Sequence, residues 1–329
     1  MPIISVVVPA YNSQSTILET INSVLEQTFS DFELIVINDG STDKTLEILA
    51  TVKDARLKVY SYPNGGLPAA RNRGIARASG EFISFIDADD LWTPDKLELQ
   101  LQALQKSPSA GVAYSWTICM GNNGESFHPG VSESYQGNVY QYLLIGNFIA
   151  SGSNVLLRQQ AIESVGYFDE SLKSSEDWDY WLRLAPKWDF VVVPKPQIIY
   201  RLSSGAMSSK LDVMEKYQTI VLEKAFASAP PQLHNLENRG FAYIYLFMTR
   251  LYLSRANNAK VLNKATEKLS QAIRFSPKIL MSKEALLLAV KIIILRILSP
   301  KIASNILSKT VRIRKAADPR LQTNSLRSY

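Results

Sequence analysis

The feature that most constrains this chain is a regular alternation, from residue 3 to residue 115, of short β-branched runs with helical stretches. Ile3–Val8 is followed by Thr16–Gln27, Glu33–Ile37 by Lys44–Asp54, Leu57–Tyr60 by Leu67–Ala78, and Glu81–Ile86 by Pro94–Lys106, with Gly111–Trp116 closing the series. Continuous apolar strands separated by crossover helices predict an α/β fold with a parallel sheet covered on both faces. Thr16 with Glu19 matches a capping box, and Thr93 before Pro94 reads as an N-cap and first helical residue. Ligands bind such sheets beyond the carboxyl ends of the strands, so the residues directly after each strand are the ones to inspect.

The rhythm then breaks. Gly, Asn and Ser between Gly121 and about Tyr135 predict a hairpin or loop. After Ser209 strand patterns vanish, and Leu211–Ala227, Arg239–Ser254, Lys260–Arg274 and Lys283–Leu298 read as helices punctuated by Pro230-Pro231, Asn257-Asn258 and Pro277. The expected division is an α/β domain over 1–209 and an all-α region over 210–329, with the boundary near 205–212. The single cysteine, Cys119, cannot form an internal disulfide, so a reduced, cytoplasmic setting is expected. The apolar run after Met1 has neither a basic flank nor the length to span a bilayer and reads as a buried strand. The formal charge of +6 is concentrated in residues 301–329, where seven basic residues face one acid, Asp318. A near-neutral body with a basic tail suits an anionic surface or a solvated end, and no nucleic-acid partner is expected.

Four segments carry possible chemistry. Pro9-Ala10-Tyr11-Asn12, after the first strand, is a rigid turn that presents an aromatic ring on which a base could stack, although such a sequence taken alone is more often just a turn. In Asn38-Asp39-Gly40-Ser41-Thr42-Asp43, Ser41 or Asp43 can cap the next helix, which leaves Asp39 to accept the imide N–H of uracil or to face solvent. Asp87-Ala88-Asp89-Asp90 crowds three acids at the end of a buried strand, where their repulsion calls for a positive partner. A hard divalent cation, Mn²⁺ or Mg²⁺, takes one or two carboxylates plus phosphate oxygens, and an Asp-rich turn is the alternative. Ser174-Ser175-Glu176-Asp177 opens a helix whose Trp178, Trp181, Leu182 and Ala185 fall on one core-facing stripe. Asp177 is there a proton acceptor or a capping acid.

In this order and spacing the segments closely resemble the family-2 glycosyltransferases, which have a GT-A nucleotide-sugar-binding fold. The resemblance runs from residue 1 to about 209 and takes in Asn64-Gly65-Gly66-Leu67-Pro68-Ala69-Ala70-Arg71-Asn72-Arg73-Gly74 and Gly166-Tyr167-Phe168-Asp169-Glu170. It implies that Pro9, Ala10, Tyr11 and Asp39 hold the nucleoside and that Arg71 lies near the base or phosphates. It implies also that Asp87 and Asp89 meet ribose and metal, with the metal on Asp89, and that Asp177 is the catalytic base. Asn38 stands where an acid is common, and Ser203 where many relatives place a histidine, so a third metal ligand is not identified.

The reaction implied is an inverting, in-line transfer of a sugar from a nucleotide diphosphate donor, a UDP-sugar by the Asp39 reading, to a saccharide or lipid-linked acceptor. A dinucleotide-dependent oxidoreductase is excluded by the lack of Gly-x-Gly-x-x-Gly, and a phosphate-loop nucleotidase by the lack of its Gly-Lys-Ser/Thr signature. A metal-dependent nucleotidyltransferase or an inactive assembly module are the competing readings; one tetratricopeptide-like pair near 256–277 is too little for a repeat array. Residues 284–329, an apolar helix bearing Lys291 and Arg296 and then the basic tail, are expected either to lie peripherally on the cytoplasmic face of a membrane or to pack as core.

Overall fold

The computed structural model describes residues 1–121, 127–202, 210–256 and 258–297. These form two compact units, one of residues 1–143 and 147–202, the other of residues 144–146 and 210–297. The boundary expected near 205–212 falls on or beside residues 203–209, which lie outside the described residues, as do Ser203 itself and the basic tail.

In chain order the first unit contains β1 (Ile4–Ala10), α1 (Ile17–Leu25), β2 (Phe32–Asp39), α2 (Thr45–Thr51), β3 (Leu57–Tyr62), α3 (Leu67–Ile75), β4 (Phe82–Phe85) and β5 (Leu91–Trp92). It continues with α4 (Lys96–Lys106), β6 (Ala110–Met120), β7 (Phe127–Pro129), α5 (Tyr140–Leu143), β8 (Leu156–Arg158), α6 (Gln159–Val165), α7 (Glu176–Leu184) and β9 (Asp189–Arg201). The nine strands make one sheet in the order β3-β2-β1-β4-β8-β6-β9-β5, with β7 beside β6. β1 pairs in parallel with β2 (Ala10 opposite Asn38) and β4 (Val7 opposite Phe85), so residues 11, 39 and 87 emerge at the same carboxyl edge. Both faces are covered there. Ile4, Val6 and Val8 pack with Ile17, Ile21, Leu97 and Leu101 on one side, while Ile35, Ile37 and Ala70 share the other. α3 approaches β1 so closely at Gly74 that a Cβ would lie 2.2 Å from Val7 Cγ1.

The far half of the sheet is mixed, within the mostly parallel α/β fold expected. β8 returns antiparallel to both β4 and β6, and β5 antiparallel to β9. Only β9 runs parallel to β6, and the pairing jumps from Val193 to Pro196 between Ser115 and Trp116. A ladder slip accommodates prolines, which lack the N–H a regular strand needs, and it hides a long strand behind a Pro-x-Pro signature.

Two helix-start readings are corrected. The Thr16 hydroxyl makes no cap bond but donates to Ala88 O at 2.8 Å, and Glu19 pairs with Arg201. α4 begins two residues late, at Lys96, with Thr93 Oγ1 donating to Asp95 Oδ1 at 2.8 Å. A long-range partner takes the Thr16 hydroxyl, whereas Thr93 spends its own on Asp95, two residues on.

The second unit contains α8 (Leu211–Ser228), α9 (Glu237–Ser254), α10 (Ala259–Phe275) and α11 (Lys283–Ile297). α9 and α10 run antiparallel, since Phe241 at the start of one stacks on Phe275 at the end of the other at 5.0 Å. Lys268 Nζ meets Glu215 Oε1 at 2.6 Å and the Tyr252 hydroxyl donates to Asp212 at 2.8 Å, tying α8 to both. Arg296 donates to Asn263 Oδ1 and Thr266 Oγ1 of α10. Among the described residues no helix is long and apolar enough to cross a membrane.

Candidate active site

Two turns after β1 and β2 are stapled together. Asn12, in the left-handed region with φ of +48°, donates its N–H to Ser41 Oγ at 3.0 Å and accepts from Thr42 N at 2.8 Å. Asp43 accepts from Thr45 N at 3.0 Å and Gln14 N at 3.0 Å, and these donors with the Thr45 hydroxyl outweigh burial and lower its carboxyl below the usual range. Asp43 thus serves the next helix as expected, whereas the Ser41 hydroxyl is spent on Asn12. Pro9 and Ala10 are buried in β1, and the Tyr11 ring beyond them is 53% exposed. Asp39 is 3% exposed and already heavily engaged. Its carboxylate accepts from Gly65 N (2.9 Å), Gly66 N (2.8 Å) and Arg73 Nη1 (2.6 Å). That engagement fixes the loop leading into α3.

Arg71, one turn into α3, is the hinge of the other half. Its guanidinium, 1% exposed, joins Asp87 Oδ1 at 2.7 Å to Glu176 Oε1 at 2.6 Å. Burial works against its charge, but the carboxylates of Asp87, Glu176 and Asp177 prevail and raise its pKa. The Phe168 ring lies 5.4 Å from Arg71 Cζ, and Asn72 holds the Phe168 backbone through bonds of 2.8 and 3.0 Å. Gly152 presses on the guanidinium: a Cβ there would stand 2.4 Å from Arg71 Nη2. Neither partner of Arg71 could be read from local spacing, for Glu176 lies 105 residues away.

The acidic turn is gripped from several elements. Ser153 Oγ accepts from Asp87 N at 3.0 Å and donates to Asp90 Oδ2 at 2.6 Å, while Trp92 Nε1 holds Ser153 O at 2.8 Å. Thr20 Oγ1 donates to the carbonyls of Ala88 (3.0 Å) and Asp90 (2.9 Å). Asp90 is fully buried; burial and then the charges of Asp89 and Asp87 drive its carboxyl well above the ordinary range, so it belongs to the scaffold. Asp89 is different. It has no ion-pair partner among the described residues, and burial together with Asp87 raises it to about 6.

Three acids open α7, just after Ser175, whose φ of +62° is strained for a non-glycine residue. Glu176 is taken by Arg71, and Asp179 by Arg183 Nε at 2.8 Å, which removes both as alternative bases. Asp177 alone has no ion pair among the described residues. It accepts from Asn147 Nδ2 at 3.3 Å and Trp178 N at 2.7 Å. Burial, then repulsion by Glu176, raise its carboxyl to about 7 against the pull of Arg71. Asn147, Gly152 and Ser153 were not singled out in the sequence. The run Gly-Ser-Asn before an apolar strand was the only local hint.

Comparison with known proteins identifies the family and the fold. The family described as "Glycosyltransferase like family 2" matches residues 5–267. An uncharacterised glycosyltransferase of Rickettsia conorii is 35% identical over 205 residues, 61% of this chain and 33% of its own length. The hyaluronan synthase of Pasteurella multocida is 27% identical over 230 residues, 68% of this chain and 23% of its own. The chain therefore spans about a third of the first relative and less of the second. Among solved structures, residues 1–349 of S. aureus TarS in complex with UDP-GlcNAc superpose with a TM-score of 0.58 at 23% identity, covering 84% of this chain and 82% of that one. The mannosyltransferase PcManGT of Pyrobaculum calidifontis, in complex with GDP-Man and Mn²⁺, gives 0.59 at 18% identity over 89% and 87%. These two likenesses concern the GT-A fold alone. With four-fifths of its length matched by the family profile, the chain belongs to glycosyltransferase family 2.

Proposed function

We propose that this chain is an inverting glycosyltransferase that moves a sugar from a nucleotide diphosphate donor, a UDP-sugar, to a hydroxyl of a saccharide or lipid-linked acceptor in polysaccharide or glycolipid synthesis. The observation that carries the reading is Asp177, the one acid of its trio left without an ion pair and held at about 7, beside the Arg71–Asp87 network. A carboxylate with that affinity for protons can take the acceptor hydroxyl's proton as the anomeric carbon is attacked. Arg71 acts through Asp87 and Glu176, fixing the acidic turn relative to α7. On the nucleoside side, Pro9, Ala10 and Tyr11 frame the base, the exposed Tyr11 ring offering a stacking face, while Asp39 keeps one lone-pair site for a base N–H.

The acidic turn suits a divalent cation, Mn²⁺ or Mg²⁺, because burial and the charge of Asp87 outweigh the pull of Arg201 on Asp89. Asp89 would hold it, with Asp87 toward the ribose, and when bound it would neutralise charge on the diphosphate leaving group. No cluster of three or more His, Cys, Asp or Glu side chains forms a cage among the described residues, so the donor's phosphate oxygens would complete the coordination. The function division at residues 209 and 210, a cytoplasmic setting, and membrane contact through 284–329 belong to the same proposal.

Incubation with UDP-, GDP- and dTDP-sugars in the presence of Mn²⁺ tests it. Free UDP released from a UDP-sugar is the expected product; sugar 1-phosphate, the group that leaves if the UMP moiety is transferred, would mark a nucleotidyltransferase, and no turnover of any donor an assembly module.

A further inference from the structure

α11 is apolar on nearly every side, and only one side is covered. Ala285, Leu288 and Ile292 are buried, and on that side Arg296 bonds to α10 while Glu284 lies 3.5 Å from Arg250 of α9. A helical period of 3.6 places Leu286, Val290, Ile293 and Ile297 on a second stripe, turned away from the first. These four are 52%, 51%, 53% and 75% exposed. Isolated exposed leucines are ordinary, whereas a straight row of large apolar side chains on one helix marks a contact surface.

The neighbouring charge selects the occupant. Lys278 and Lys283 flank the start of the stripe, and residues 301–329, close after its end, carry seven basic residues against one acid. A second copy of this chain would bring the same cations against themselves. An anionic lipid surface accepts both features, since apolar side chains enter the boundary between headgroups and acyl chains while cations remain among the headgroups. The described part of the helix, 15 residues and about 22 Å, carries Lys291 and Arg296 and is not long and apolar enough to cross the ~30 Å hydrocarbon core, which suits a helix lying in the interface.

We propose that the Leu286–Val290–Ile293–Ile297 face of α11 docks the protein on an anionic bilayer. This deepens the membrane contact of the proposed function and rests on that reading only for placing a lipid-linked acceptor within reach.

Flotation of the full-length protein with vesicles of phosphatidylcholine, alone or mixed with phosphatidylglycerol, tests it. Binding is expected on the mixed vesicles, at least about tenfold weaker on the neutral ones, and falling as salt rises. The double variant Val290→Glu, Ile293→Glu changes exposed side chains, so it should melt as the wild type does and lose about tenfold or more of vesicle binding. Release of UDP from a UDP-sugar in solution is expected to be equal in variant and wild type. That readout separates failure of docking from failure of the transferase reading. Undiminished vesicle binding by the double variant overturns the proposal. So does a dimer, measured by light scattering, that the variant converts to monomer while neither protein floats.

Discussion

The two ends of the sheet's carboxyl edge are built on opposite electrostatic plans. At the β2 end the carboxylates are met by donors: Asp39 by two backbone N–H groups and Arg73, Asp43 by two N–H groups and the Thr45 hydroxyl. At the β4 and α7 end, Arg71 is shared between Asp87 and Glu176, and burial with like charge holds Asp89 at about 6 and Asp177 at about 7. The charge of the first end is met by its own donors. The second keeps negative charge in reserve, the condition in which a carboxylate binds a cation or takes a proton near neutrality.

The largest effect expected from breaking this contrast is at Asp177. Asp177→Asn removes the proton acceptor while keeping the side chain's shape, so transfer should fall about 10²–10⁴-fold with UDP binding retained. A base works ionised, so wild-type kcat/KM should fall as pH drops through about 7, the value burial gives this carboxyl, and the variant should lose that limb. Rates and profile that match the wild type would move the role elsewhere.

A smaller effect is expected at Gly152. Alanine there would meet a guanidinium that cannot retreat, because both its ends are ion-paired in the interior. Gly152→Ala should cost about 1–3 kcal/mol of stability by overpacking, measured by denaturant melts, and lower transfer more than UDP affinity. Full activity with unchanged stability would mean that Arg71 does not set the geometry. Asp39→Ala tests the first end: it should weaken UDP binding by about tenfold to a hundredfold, the worth of a lost hydrogen bond to a charged group plus the loop it anchors. Calorimetry showing wild-type affinity would detach Asp39 from the nucleotide.

Much of this was legible in the sequence because strand ends announce themselves. An apolar run that stops at Asn38-Asp39-Gly40 or Asp87-Ala88-Asp89 tells where the polar edge lies, and parallel pairing brings those ends together. Partnership was not legible. Thr16 and Glu19 satisfy a local capping rule yet serve Ala88 and Arg201, 72 and 182 residues away. Likewise Ser153 and Asn147 sit in a stretch without periodicity, where φ of +77° at Ala150 marks a backbone shaped by its surroundings rather than by its own residues. Pro194 and Pro196 masked β9 because the bulge that tolerates them depends on the pairing with β6.

The central claim is that the acidic end is left open for a cation bound together with the nucleotide. Calorimetric titration of UDP into wild-type protein and into Asp89→Asn, with and without Mn²⁺, tests it most directly. The account predicts that Mn²⁺ tightens UDP binding to the wild type by about tenfold to a hundredfold, within the usual range of coupling between two ligands, and leaves the variant unchanged. Equal UDP affinity in the wild type with and without the metal would contradict it.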